Sequence, residues 1–184
     1  GGLGTLLLAL EAHLLGLPDD RADHEGGEEA AQQREAETAE LYDLSRDLAA
    51  TADLDAILRA LIHHCEQSFH RETVILLPEG SRLTPRLAST GLYLSDEEMA
   101  VADWVYRHGE TAGRHTSTLP AAELRYLPLK TARGVVGAVG VGKPGTAEGD
   151  LNPAQRRLME AFANQAAQAI ERVMLAEEAR QIKL

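Results

Sequence analysis

The apolar positions of this chain switch between a helical and a strand period, and each switch marks an element. Leu3, Leu7, Leu10, Leu14 and Leu17 recur at helical spacing, which predicts a first helix within Leu3–Leu17. Pro18 to Gln33 holds almost no bulky apolar residue and reads as an acidic linker or a frayed helix start. From Arg34 the helical period returns, with Leu41, Leu44, Leu48 and Ala49 in a stripe and Tyr42 beside it. Asp53 is placed to cap a further helix that turns Ile57, Leu58, Leu61, Ile62 and Cys65 inward. Thr73–Leu77 is a strand, and Arg82–Ser89 a second one in which Pro85 demands an edge or a bulge. Ser95 caps a helix over Met99–His108 that ends at Gly109. Ala112–Pro120 is polar, a short strand and a loop.

Leu124 to Lys143 forms a hairpin broken at Thr131–Gly134. Alternation along its second arm puts Val135, Val139 and Val141 on one face, with Gly137 between them. Val136, Ala138, Gly140 and Gly142 then share the other face. A face built of Ala and Gly admits close approach, and the helix Glu160–Ile170, itself short of bulk, is the expected occupant ahead of a ligand. After a linker at Pro144–Leu151, Asn152-Pro153 opens the last helix. That helix has two apolar sides. Leu158, Phe162, Ala166, Ala169, Val173 and Ala176 form one; Met159, Ala163, Ala167, Ile170 and Met174 form the other. A helix greasy around so much of its girth needs two partners, so the second side is expected to pair with a second subunit, together with the Arg34–Ala50 helix. The fold class is α+β, an antiparallel sheet flanked by helices, with long helices at both ends. The domain expectation is residues 1–33 as an extension and acidic linker, and 34–184 as one domain with a terminal signalling helix.

Length and composition narrow the function. A chain of 184 residues suffices for one buried core plus extensions. A net charge of −11 without a Lys/Arg cluster excludes nucleic acid and disfavours anionic lipid. One cysteine, Cys65, excludes a disulfide framework and a cysteine-built metal site. The leucine-rich start is too short and too interrupted, by Glu11 and His13, to span a bilayer. It reads instead as an amphipathic partner helix or a tag. The first residue is not Met, and AEEARQIKL leaves the last helix unfinished, so the sequence reads as an excerpt.

No Gly-x-Ser-x-Gly elbow, H-E-x-x-H pair or phosphate loop is present. His63 and His64 are neighbours and point about 100° apart on a helix, so they do not chelate together. No cofactor and no metal are expected. The ligand-pocket candidates are Trp104 and His108, four apart on one helix face, and Arg114, Thr116 and Thr118, which share a side if extended. With Lys130 at a strand end, they offer an aromatic wall, cations and hydroxyls to an unidentified small anionic or planar ligand. The plainer alternative makes Trp104 core, Arg114 a carboxylate partner, the threonines loop fasteners and Lys130 an exposed charge.

Three separated runs carry a resemblance. YLPLKTARGVVG at Tyr126–Gly137, EAFANQAAQAIERV at Glu160–Val173 and ELYDLSRDLA at Glu40–Ala49 resemble the GAF domain of Kdp-type potassium-sensing histidine kinases. WVYRHGETAGRHTSTLP at Trp104–Pro120 is similar to its middle segment. The resemblance covers roughly Arg34 to Leu184 and implies a cytoplasmic sensory module, with no catalysis of its own, between membrane segments and a kinase core. The two-sided last helix adds the expectation of a homodimer joined through the terminal helices. Residues 1–33 do not look like the family's membrane helices. The cysteine-bound tetrapyrrole of phytochrome GAF domains does not fit an inward Cys65 on a helix, and the cyclic-nucleotide pattern is absent. The methionine sulfoxide reductase chemistry of some GAF proteins needs more than one cysteine. Two readings stay open: a signal relay, and a small-molecule-binding GAF domain of a soluble regulator.

Overall fold

Asp53 separates two helices by local hydrogen bonding alone. Its N–H is held by Thr51 Oγ1 at 3.0 Å, and its carboxylate accepts from Ala56 N at 3.0 Å, which opens the next helix. The computed structural model describes residues 2–15, 20–144 and 149–183. They fall into two compact units, Gly1–Ala39 and Glu40–Leu184. The first unit holds α1 (Gly2–Leu14) and the start of α2 (Asp20–Ala49). Leu3, Leu7, Leu10 and Leu14 are exposed on α1, while Leu17 lies outside the described residues. Of the two expectations for Pro18–Gln33, a linker or a frayed helix start, the helix holds from Asp20, because Ala, Glu, Gln and Arg outweigh the cost of Gly26 and Gly27. No described helix is long and apolar enough to cross a membrane.

The second unit continues with α3 (Leu54–Phe69), β1 (Arg71–Glu79), β2 (Arg82–Ala88), α4 (Asp96–His108), β3 (Ala112–Gly113), β4 (Arg125–Thr131), β5 (Gly134–Pro144) and α5 (Pro153–Ile182). The strands form one antiparallel sheet in the order β2-β1-β5-β4-β3. Pro85 meets both of its predicted conditions. It sits on the edge strand β2, next to a register shift at which Leu87 opposes Ile75 and Pro85 opposes Leu76. The linker expectation at Pro144–Leu151 falls largely on residues outside those described.

Two hydrophobic layers sandwich the sheet. On one face α3, α5 and the end of α2 (Leu44, Leu48) cover Ile75, Leu77, Leu127, Leu129, Val139 and Val141. On the other, α4 covers Val74, Leu76, Leu83, Tyr126 and Ala138. Two corrections follow. First, a bulge breaks the alternation at the start of β5: Lys130 pairs with Val135 and Leu129 with Gly137, leaving Val136 extra. Val136 therefore packs with the α3/α5 layer, while a Val135 methyl reaches the C-cap of α4 at Gly109. Second, the small-residue face is approached by Tyr126 and not by α5. A Cβ on Gly140 would lie 2.6 Å from Tyr126 Cε1, so the glycine is the floor on which the ring rests.

The second apolar side of α5 is also covered by the chain itself. Met159, Ala163, Ala167 and Ile170 are only 1, 2, 0 and 0% exposed, and Met174 is half-buried. The reason is the seat of α5, which packs on β4 and β5 and also on α3. One partner is the sheet and the other is a helix of the same chain, so these residues do not present a face to a second subunit.

Candidate functional site

The α4 face of the sheet is closed by a buried carboxylate. Ser95 Oγ caps α4 by accepting from Glu98 N at 3.2 Å, and Glu98, in the first turn, points inward. A buried charge persists only when its oxygens are bonded. Glu98 Oε1 accepts from Glu123 N at 2.7 Å; Oε2 accepts from Leu124 N at 3.3 Å and from the Tyr126 hydroxyl at 2.9 Å. Burial first, then the bond and the charge of Glu98, push the Tyr126 phenol well above the usual tyrosine range. The phenol stays a donor, and the strand below α4 is tied to the helix above it.

The predicted pocket residues are not brought together. Trp104 and His108 do stack, with ring centroids 4.2 Å apart and planes 14° from parallel, and His108 Nδ1 donates to Trp104 O at 2.8 Å. Arg114, Thr116 and Thr118 do not line one side, because the chain turns at His115 (φ 55°) instead of extending. Thr116 is the cause. Its hydroxyl shares its proton between Gly113 O at 2.7 Å and Thr118 O at 2.6 Å, and accepts from Thr118 N at 3.2 Å. Arg114 Nε donates to the neighbouring His115 Nε2 at 3.0 Å. Lys130 Nζ reaches Gly109 O at 3.5 Å and lines a hollow of about 190 Å³ with Thr111, Glu160 and Asn164. Met174 lines a second hollow of about 160 Å³ with Leu54, Leu77 and Arg86.

The opposite face carries a junction of helices. His64, on α3, donates from Nε2 to Asp47 Oδ2 of α2 at 2.7 Å, since a carboxylate oxygen in this pair accepts. Its ring meets Phe162 of α5 edge-on at 6.3 Å, and Phe162 meets Phe69 at 5.5 Å. Arg172 of α5 donates to the carbonyl of Leu48 at 3.0 Å. Sequence reasoning favoured one surface and one semi-buried place for His63 and His64 over a metal site, which matches exposed His63 and half-buried His64, but passed over Asp47, Arg172, Glu98 and Tyr126. Glu98 carried one signal, a third acid in a capped first turn, but nothing local says that it turns inward.

The GAF domain profile matches residues 53–172, and these are the residues that build α3, the sheet, α4 and most of α5. This chain belongs to the GAF domain family. The sensor protein KdpD of Escherichia coli is 32% identical over 155 residues, which is 84% of this chain and 17% of that protein. KdpD of Clostridium acetobutylicum is 25% identical over 186 residues, 97% of this chain and 20% of that protein. The chain thus spans about a fifth of the length of these relatives. The crystal structure of the GAF domain of the potassium sensor histidine kinase KdpD from Escherichia coli superposes with a TM-score of 0.68 at 31% identity, covering 77% of this chain and 98% of that one.

This GAF domain keeps its cysteine out of chemistry. Cys65 is fully buried, its Sγ lies 4.0 Å from Met159 Sδ, and burial pushes the thiol up to about 12. The thiolate that nucleophilic, redox or linkage chemistry requires is scarce at neutral pH. Among the described residues, no group of three or more His, Cys, Asp and Glu side chains gathers to hold a metal ion.

Proposed function

We propose that this GAF domain is the sensory and relay module of a Kdp-type sensor histidine kinase. It takes a signal at the end of α2 and hands it on through α5. One observation supports this above the others. The end of α2 and the body of α5 share one face of the sheet, and α5 runs on past its buried part, with residues 176–183 exposed. A stimulus acts by favouring one setting of α2 over another, and the exposed end of α5 shifts with it in angle or register. The module works in the cytoplasm, beside membrane segments and a kinase core that carries the phosphoryl chemistry. Pairing of two copies falls to the outer face of α2 around exposed Tyr42 and to α5 beyond Leu175.

Exchange of the corresponding domain of the Escherichia coli sensor protein for this chain tests the proposal. A chimera whose autophosphorylation still responds to potassium supports it. A folded chimera with constant activity, whatever the stimulus, overturns it.

The hollow beside Lys130 favours a second reading, a module that binds a small anion. Thr111, Asn164 and the Lys130 ammonium converge there, with Glu160 as the opposing charge. A rise in melting temperature with an anionic metabolite, lost in Lys130→Ala, would bring this reading forward.

A further inference from the structure

The last turn of α2 is closed from another part of the chain. Ala50 N donates to Arg46 O at 3.1 Å, but the last carbonyls of a helix lack partners within it. Arg172 supplies one from 124 residues further along: its Nη2 donates to Leu48 O at 3.0 Å and reaches Thr51 O at 3.5 Å. A guanidinium at a helix C-terminus also complements the negative end of the helix dipole. The same turn is held on its other side, where Asp47 takes the bond from His64 of α3. The neighbour of Arg172 is engaged too. Glu171 Oε1 accepts from the hydroxyl of Thr131, the last residue of β4, at 2.9 Å.

We infer that Glu171 and Arg172 form a joint that makes the end of α2, the β4–β5 hairpin and α5 move as one body, with Arg172 the positioning residue. Leu44 and Leu48 bury the α2 stripe in the core, but apolar contact has no direction and lets helices slide or turn against each other. The joint adds direction. The Nη2 of Arg172 holds the carbonyl of Leu48 in the last turn of α2 and reaches that of Thr51 just past it, so α2 cannot rotate about its axis without carrying α5 or breaking the grip. Glu171 ties the same turn of α5 to the sheet, so the motion is taken up by the hairpin and not lost in α5 alone. The joint rests on the relay reading for its purpose; its existence is tested on this chain by itself.

Spin labels at Asp43→Cys and Gln168→Cys, both exposed positions of the second unit, report the spacing of α2 and α5. Buried Cys65 stays unlabelled while the chain is folded. The chain should give one narrow distance distribution, Arg172→Ala should broaden it about twofold, and the control Arg180→Ala should leave it unchanged. Arg172→Lys, which keeps the charge on a shorter side chain, should fall between. A capping role alone would fray residues 46–51 in hydrogen exchange and leave the distribution narrow, and that outcome overturns the joint. A narrow distribution in Arg172→Ala sinks the joint without touching the relay, whereas an unresponsive chimera sinks the relay with the joint intact.

Discussion

The hydroxyl of Tyr126 and the carboxylate of Glu98 meet at 2.9 Å beneath α4, and the same carboxylate takes the backbone N–H groups of Glu123 and Leu124. One side chain thereby fastens a helix, a loop and a strand. It also fills the α4 face with the protein's own polar group.

Removal of that carboxylate takes the acceptor from two buried donors, Leu124 N and the Tyr126 hydroxyl, and from Glu123 N nearer the surface. Glu98→Ala should cost about 3 kcal/mol or more, because the unmet donors keep their desolvation cost. Tyr126→Phe removes one donor and should cost about 1 kcal/mol. Urea unfolding of both variants checks the order. Equal, small losses would show that water reaches the carboxylate.

Two glycines of β5 give a paired test of the Tyr126 seat. A methyl at Gly140 would lie 2.6 Å from Tyr126 Cε1 and 2.9 Å from Val74 Cγ1, while at Gly142 the nearest atom is 3.6 Å away. Gly140→Ala should therefore destabilise by roughly 2 kcal/mol, and Gly142→Ala by far less. In a Tyr126→Leu background the Gly140 penalty should shrink, a non-additivity visible in thermal melts.

Asp47 sets a small acid-side dependence. The bond from His64 holds its carboxyl below the ordinary value of 3.8, ahead of a partial opposing effect of burial, with His64, Arg46 and His63 charges adding to the lowering. A depressed carboxylate stabilises the fold above its unfolded value, and that stability fades as pH falls through the folded one. Asp47→Asn should lower the melting temperature slightly at neutral pH, and the gap should close as pH drops below about 4. The carboxylate is largely solvent-screened, so the effect stays small. A gap that persists in strong acid would exclude this cause.

Cys65 should resist thiol reagents in the folded chain and react on unfolding. With the thiol raised to about 12 by burial, the neutral form is favoured in the fold, so its contribution is full below the ordinary 9.0 and is lost as pH rises from there. Cys65→Ala should flatten the alkaline limb of the stability profile. Rapid modification of the native chain would show that α3 opens locally.

Short-range chemistry was legible throughout. Asp53, Ser95 and Asn152 cap the helices they were expected to cap, Gly109 closes α4 at φ 66°, and Pro85 stands at an edge and a bulge. Patterning failed where one hydrogen bond or one extra residue changed direction. Thr116 turned the loop that was to present Arg114 and Thr118, and the bulge at Val136 exchanged the faces of two valines.

From its residue order alone this chain determined its helices, its strands, its antiparallel α+β class and its GAF kinship, because caps, turns and apolar periods act within a few neighbours. Tertiary structure decided what each surface meets. Both apolar sides of α5 went to the sheet and α3, Tyr126 took the space above Gly140, and Arg172 found the end of a helix 124 residues away. Such pairings depend on which elements pack side by side, and no period along the chain encodes the partner of a buried carboxylate or a reaching guanidinium.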